Sequence, residues 1–287
     1  MKLLVFGRSG QVGLALRRAA ASAGVEMVAL GRAEADLAEP GACARAIKRS
    51  DADVVINAAA YTAVDRAEDE PELAGRVNAQ AAGEIAHAAA ERGLPLLHLS
   101  TDYVFDGNGA QPWRPVDTPS PVNAYGRSKL DGEAAIADVG GTHVILRTSW
   151  VFSAHGTNFV RTMLRLAESR AEIAVVSDQI GGPTSAAALA EALLTLARAS
   201  TGSDFRSGVH HLSGAPDTSW AGFAREIFRL SGRDVRVREI PSAEFPMRAR
   251  RPLNSRLDCT SLTESFGIAR PDWRDGLREV LAEIAMG

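Results

Sequence analysis

Lysine and tyrosine are nearly missing from this chain. Its 32 basic residues include three lysines, Lys2, Lys48 and Lys129, the rest being arginine, and its tyrosines are Tyr61, Tyr103 and Tyr125. There are two cysteines, Cys43 and Cys259, far apart in sequence. They exclude a disulfide framework and any metal-ligand spacing, and read as reduced thiols of a cytoplasmic protein. A surplus of either charge is absent too: 35 acidic residues leave a formal net charge of −3. So even a balance provides no basic footprint for nucleic acid. No apolar run reaches the roughly 18 residues of a membrane span. The opening "MKLLVFG" has too short an apolar core for a signal peptide. These absences predict a cytoplasmic protein with no nucleic-acid or membrane partner. What remains is 287 residues, 46% hydrophobic and 23% charged, enough for a large buried core.

The first half alternates apolar runs with helical patterns. "KLLVF" (2–6), "VEMVAL" (25–30), "ADVVINAA" (52–59), "LPLLHLS" (94–100) and "THVILRTSW" (142–150) read as strands. Between them lie "QVGLALRRAAASAG", a helix near 40–50 starting at Pro40, the long "PELAGRVNAQAAGEIAHAAAERG", and a helix from near Asn123. Continuous apolar strands alternating with helices imply a parallel sheet covered on both faces. The predicted fold class is α/β. A Rossmann-type doubly wound parallel sheet, the dinucleotide-binding domain, spans 1–150. A smaller C-terminal substrate-binding region spans 151–287, from which a late segment can return to the Rossmann sheet. A helix over 158–170, the strand-like "EIAVVSD" and "GVHHLSG", and a last helix over 275–286 fill the second half. The Arg-rich "FPMRARRPLNSR" (245–256) reads as a loop.

After the first strand comes "GRSGQVG", with Gly7, Gly10 and Gly13 spaced G-x-x-G-x-x-G. Such glycines permit a tight turn and close approach of a pyrophosphate, and the helix start offers free N–H groups to it. At the end of the second strand an NAD-preferring site places a carboxylate. Here Gly31 is followed by Arg32, and Arg8 lies within the glycine loop. Two guanidiniums suit a 2'-phosphate and favour NADPH, with NADH possible.

Tyr125 and Lys129 are four apart and share one face of a helix. An ammonium about 4 Å from a phenol, at an effective dielectric near 20, gains on the order of 4 kcal/mol. That bounds the fall in phenol pKa at roughly three units. The expectation is a Tyr125 tuned to pass a proton to a carbonyl oxygen. Thr101, closing the fourth strand, can hydrogen-bond the same oxygen and stabilise its developing charge.

Seven phrases make the chain resemble one known family. They are "GRSGQVG", "DVVINAAAYTAVDRAEDEPELAGRVNA", "LSTDYVFDG", "SPVNAYGRSKLDGE", "LRTSWVF", "NFVRTMLRLA" and "SDQIGGPTSA". The chain is similar to the dTDP-4-dehydrorhamnose reductases of the extended short-chain dehydrogenase/reductase superfamily. That resemblance implies NAD(P)H-dependent reduction of the C4 ketone of dTDP-4-dehydro-L-rhamnose, the last step of dTDP-L-rhamnose synthesis. It implies Thr101, Tyr125 and Lys129 as catalytic residues. It implies a cofactor lined by Gly10, Gln11, Val12, Asp36, Leu37, Ala60, Tyr61 and Thr62, besides Gly7, Gly13, Arg32, Tyr125 and Lys129. It puts Thr101, Asp102 and Trp150 on the substrate side, and it allows a homodimer. Glutamates that hold a shared magnesium in some members correspond to Ala15 and Ala187, so no metal is expected. Alternative readings are another sugar-nucleotide epimerase or dehydratase, or a non-catalytic dinucleotide-binding subunit resembling that of methionine adenosyltransferase.

The acidic run Asp65, Glu68, Asp69, Glu70 and Glu72 suits the positive end of the following helix. Arg248, Arg250, Arg251 and Arg256 read equally well as diphosphate contacts or as a solvated loop. His210 and His211, adjacent on a strand, point to opposite faces, which argues against a shared metal.

Overall fold

Burial on both faces gives strands β1 (Lys2–Phe6), β3 (Val54–Asn57), β4 (Leu96–Thr101) and β5 (His143–Thr148) their unbroken apolar character. With β2 (Glu26–Leu30) on one edge, they form a parallel sheet in a computed structural model that describes residues 1–202 and 205–286. Successive side chains alternate across it. Leu3 and Val5 face α1 (Gln11–Ser22), whereas Leu4 and Phe6 face α2 (Ala42–Arg49) and α4 (Ala81–Glu91). Before α4 run α3 (Pro71–Gly75) and a π-helical turn over Arg76–Gln80. The fifth helix, α5 (Ala124–Val139), begins under the cap of Asn123, whose side chain accepts from the Gly126 N–H.

Two later elements join this sheet. The strand Gly208–His211 pairs with β5, giving the order Gly208–His211, β5, β4, β3, β1, β2, all parallel. The helix Ala186–Ala199 packs beside α1 on the Leu3 face. The remaining second half forms small paired sheets: Glu172–Val176 with Arg236–Ile240, Val151–Phe152 with Thr184–Ser185, and Ile180–Gly181 between Thr218–Ser219 and Asn254–Ser255. Around them the helices Phe159–Ala167, Trp220–Ser231 and Trp273–Met286 close a separate core on Phe152, Phe223 and Trp273.

The chain leaves β1 and β3 towards opposite faces, so a crevice opens between their C-terminal ends. Gly7 sits there at φ +107°, where an added Cβ would lie 2.9 Å from the Ala58 carbonyl. Only glycine fits that approach. Among the described residues no helix is long and apolar enough to cross a membrane.

Candidate active site

The glycine loop delivers the start of α1 to this crevice. Gly10 precedes the helix with no side-chain cap, and the first turn holds no acidic residue, so its N–H groups and positive end stay available to an anion. Gly13 has to be glycine, since a Cβ would sit 2.0 Å from the Gly7 carbonyl oxygen. Val12 is buried in the sheet's core. The Gln11 side chain turns to the second half of the chain, accepting from Ser153 Oγ and Asn158 Nδ2, both at 2.9 Å. Beyond β2, Leu37 is buried and Asp36 accepts from the Ala38 N–H at 2.9 Å. Ala60, Tyr61 and Thr62 follow β3, and Asn78 fixes them by accepting from the Tyr61 N–H and donating to its carbonyl.

Arg32 is exposed and makes no ion pair among the described residues. Arg8 does: its guanidinium meets Glu34 at 2.7 Å, and the other Glu34 oxygen accepts from the Gly31 N–H at 2.9 Å. These bonds hold the Glu34 carboxyl below its ordinary range, Arg8 contributing first. A carboxylate therefore does follow β2. Sequence reading stopped at Arg32 and passed over it, because Glu34 reaches back across the turn.

Thr101 ends β4, and Tyr125 and Lys129 lie on α5, which packs over that end. The structure brings the three together. Glycines allow the approach: a Cβ on Gly126 would stand 2.1 Å from the Tyr103 carbonyl oxygen. The Tyr125 phenol lies next to the Thr101 hydroxyl. Thr101 Oγ1 donates to Asp102 at 3.1 Å and accepts from the Tyr103 N–H at 3.2 Å. Tyr103 closes the other side of the phenol edge-on, with centroids 5.7 Å apart.

The electrostatics differ from the expectation. Burial pushes the Tyr125 phenol up to about 12, with the Thr101 hydrogen bond acting in the opposite direction. Lys129 does not offset this rise, because its ammonium is turned beneath the site. Nζ donates to the Leu99 carbonyl at 2.8 Å and lies 3.0 Å from His98 Nε2. Loss of solvent lowers Lys129 to about 8, opposed by the charge of Glu133. Glu133, one further turn along the same face, is itself buried against Arg147 at 2.5 Å. Tyr125, Lys129 and Glu133 thus form one inward polar stripe.

Of the residues expected on the substrate side, Asp102 is 2% exposed, one carboxyl oxygen has no partner, and burial raises it to about 7 against hydrogen bonds from Ser255 and Thr101. Trp150 adopts φ +50°, unusual for a bulky residue, and stacks on Trp220 with centroids 3.7 Å apart. Neither Ser255 nor Trp220 was visible as a site residue in the sequence, for both come from distant segments. Arg251 and Arg248 pair with Asp65 and Asp69, which gives the acidic run a tertiary role. Arg256 donates to Asn254 at 3.0 Å, while Arg250 is exposed. Ala15 and Ala187 face a groove shared with Arg18 and Glu283. His210 and His211 diverge, towards Ser261 and the Trp113 carbonyl.

Comparison with known proteins decides the family. Residues 1–286 match the family described as "RmlD substrate binding domain". The chain belongs to this family. A family relative from Sinorhizobium fredii, a dTDP-4-dehydrorhamnose reductase, is 46% identical over 98% of this chain and 97% of its own. The crystal structure of a dTDP-4-dehydrorhamnose reductase from Clostridium acetobutylicum is 35% identical, with a TM-score of 0.94 and complete coverage of both chains. That of the Bacillus anthracis enzyme in complex with NADP is 33% identical, with a TM-score of 0.92 over 98% of this chain and 99% of its own.

Proposed function

We infer that this protein reduces the C4 ketone of dTDP-4-dehydro-L-rhamnose to dTDP-L-rhamnose with NADPH, NADH being the second choice. The observation that carries the reading is the convergence of Thr101, Tyr125 and Lys129 beside a capless helix start. The residues present fit a dinucleotide: Gly7 and Gly13 leave no room for a Cβ, and the α1 N–H groups lack a protein partner for an anion. NADPH when bound supplies the hydride. Gly7, Gly10 and Gly13 would hold its pyrophosphate, and Arg32 with Arg8 its adenosine end. The 1–150 part, with the strand Gly208–His211 and the helix beneath it, acts as the cofactor domain. The rest of 151–287 encloses the sugar nucleotide with Trp150.

At neutral pH a phenol near 12 keeps its proton, the form a general acid needs for reduction. Tyr125 donates that proton to the C4 oxygen as its charge develops. Thr101 orients the phenol and, on releasing Asp102, turns its own O–H to the same oxygen. Lys129 places a positive charge below the phenol as phenolate forms. No Glu follows Asp102 to remove a proton beside the carbonyl, which favours reduction over dehydration. The resemblance carries a homodimer and the cytoplasm as assembly and compartment; sedimentation and cell fractionation test them.

Tyr125→Phe tests the assignment. Turnover of dTDP-4-dehydro-L-rhamnose, followed by nicotinamide absorbance, is expected to fall at least about a hundredfold with dinucleotide affinity near normal. Unchanged turnover refutes the reading.

A further inference from the structure

Beneath the candidate catalytic lysine lies a buried row of polar groups that the reaction scheme above does not use. Asn57 closes β3 and His98 lies in β4, and the two are paired across the parallel ladder. Both are 1% exposed, as is Lys129. Asn57 Nδ2 lies 3.1 Å from His98 Nδ1, and His98 Nε2 lies 3.0 Å from Lys129 Nζ. The Ala59 N–H donates to Asn57 Oδ1 at 3.2 Å.

These contacts, with the Asn57 amide oriented towards Ala59, specify one proton arrangement. A backbone N–H can only donate, so the Asn57 oxygen faces Ala59 and its NH2 group faces the imidazole. His98 Nδ1 therefore accepts, and Nε2 carries the ring proton. Above about pH 8, where Lys129 has given up its extra proton, the ring proton points at Nζ, which accepts it as an amine while donating to the Leu99 carbonyl. The ammonium, which prevails below about pH 8, requires the opposite tautomer. Adding one proton to the pair leaves Nζ as –NH3+, Nε2 bare and the ring proton on Nδ1. The Asn57 amide must then rotate and release the Ala59 N–H.

We propose that His98 is a positioning residue for the reduction: fixed by Asn57, its ring holds the Lys129 nitrogen and selects between amine and ammonium beneath Tyr125. The proposal rests on the reading of Tyr125 and Lys129 as catalytic residues. The other groups facing Lys129 leave the choice to this pair. On α5, Glu133 favours the ammonium, but its charge is already matched by Arg147 from β5, and Tyr125 is neutral. Burial keeps His98 neutral, so the ring does not take a second proton. The release of Ala59 reaches Ala60 and Tyr61 in the next residues, which ties the lysine's charge to the wall of the dinucleotide crevice.

The ring tautomer is read by nitrogen-15 NMR on the labelled protein, the His98 signals being assigned by their loss in His98→Gln. Protonation at Nε2 is expected in the wild type above about pH 8, and at Nδ1 below it. In Asn57→Asp the carboxylate takes the proton on Nδ1 and leaves Nε2 as an acceptor. The tautomer should then reverse, and the Lys129 limb of the kcat–pH profile should move upward by about one unit. A wild-type ring that stays protonated at Nδ1 above about pH 8, or an unchanged ring in Asn57→Asp at that pH, overturns the proposal. Kinetically, His98→Gln reaches the place of Nε2 and should keep kcat within about threefold, whereas His98→Asn, which reaches only that of Nδ1, should lose about tenfold. The KM for the dinucleotide should change less than about twofold in both. Equal losses in the two variants indicate packing alone and likewise overturn it. The tautomer is measured without turnover, so it stands or falls apart from the Tyr125→Phe result.

Discussion

A carboxylate loses its hydration when buried, and Asp102 gains little in return. Ser255 and Thr101 bond it, yet one oxygen remains without a partner and the group titrates near 7. In the unfolded chain an aspartate titrates near 3.9. Between about pH 4 and 7 the folded state thus binds more protons than the unfolded state, and stability falls as pH rises through that window. The full effect is bounded by about three units, on the order of 4 kcal/mol. Asp102→Asn removes the titration while keeping the shape. The variant is expected to lose less stability than the wild type between pH 4.5 and about 8, as measured by urea unfolding. Parallel pH curves for the two proteins would contradict a buried, acid-favouring Asp102.

At this scale the sequence exposed the residues that are rare or regularly spaced. Tyr125 and Lys129 stood out because the chain has so few of either type, and a spacing of four survives folding as a shared helix face. Asn57 and His98 were hidden inside apolar runs, where a single polar residue reads as strand. Their contact depends on the register between β3 and β4, which no local pattern specifies. The direction of the lysine was hidden as well. Spacing placed Lys129 on the face of Tyr125, but the Leu99 carbonyl and His98 determine where its nitrogen points.

Among the elements, α5 does the most to build the site, and its sequence is peculiar for a helix. Glycine is a poor helix former, yet Gly126 and Gly132 occupy its buried face. A Cβ on Gly132 would lie 2.1 Å from the Asn78 carbonyl oxygen, inside the π-helical turn. π-turns are uncommon and often occur at functional sites. This one presents Asn78 to two partners at once: it donates to Ser128 on α5 at 2.9 Å and clamps the Tyr61 backbone. Gly132→Ala must therefore push α5 away from the turn. A loss of about 1–3 kcal/mol is expected from such overpacking. Asp131→Ala, one residue earlier and exposed, should be nearly neutral in the same thermal unfolding experiment. Helix propensity favours alanine at both positions, so a Gly132→Ala protein as stable as the wild type would mean that the close approach does not constrain α5. The alternation of strands and helices was readable from apolar periodicity. The π-turn was not, because one inserted residue inside "PELAGRVNAQAAGEIAHAAAERG" leaves that periodicity almost intact.

On the scale of the whole molecule, the late "FPMRARRPLNSR" loop is a strap that binds the two halves. Asp65 accepts from the Ala249 N–H at 3.0 Å and from the Arg251 guanidinium at 2.7 Å, and Arg248 pairs with Asp69. Asn123, the cap of α5, donates to the Arg250 carbonyl at 2.8 Å. The strap then crosses Gly107, where a Cβ would lie 2.5 Å from Pro252 Cα, and leads into Ser255, a partner of Asp102. One continuous chain of contacts joins the acidic run, the start of α5 and the Asp102 carboxyl. The dinucleotide crevice lies off this path, at the ends of β1 and β3. Arg251 is 13% exposed and Asp65 37%, so the pair is only partly screened by solvent. Its loss can weaken substrate binding by about 1.4 kcal/mol, which is tenfold. Asp65→Ala is therefore expected to raise the KM for the sugar nucleotide about tenfold while the dinucleotide Kd changes less than about twofold. Isothermal titration with NADPH and steady-state kinetics separate the two quantities. A matching fall in dinucleotide affinity would mean that the strap supports the Rossmann half rather than the substrate side, because the Asp65 contacts would then be transmitted through the 58–62 loop instead of through Pro252 and Ser255.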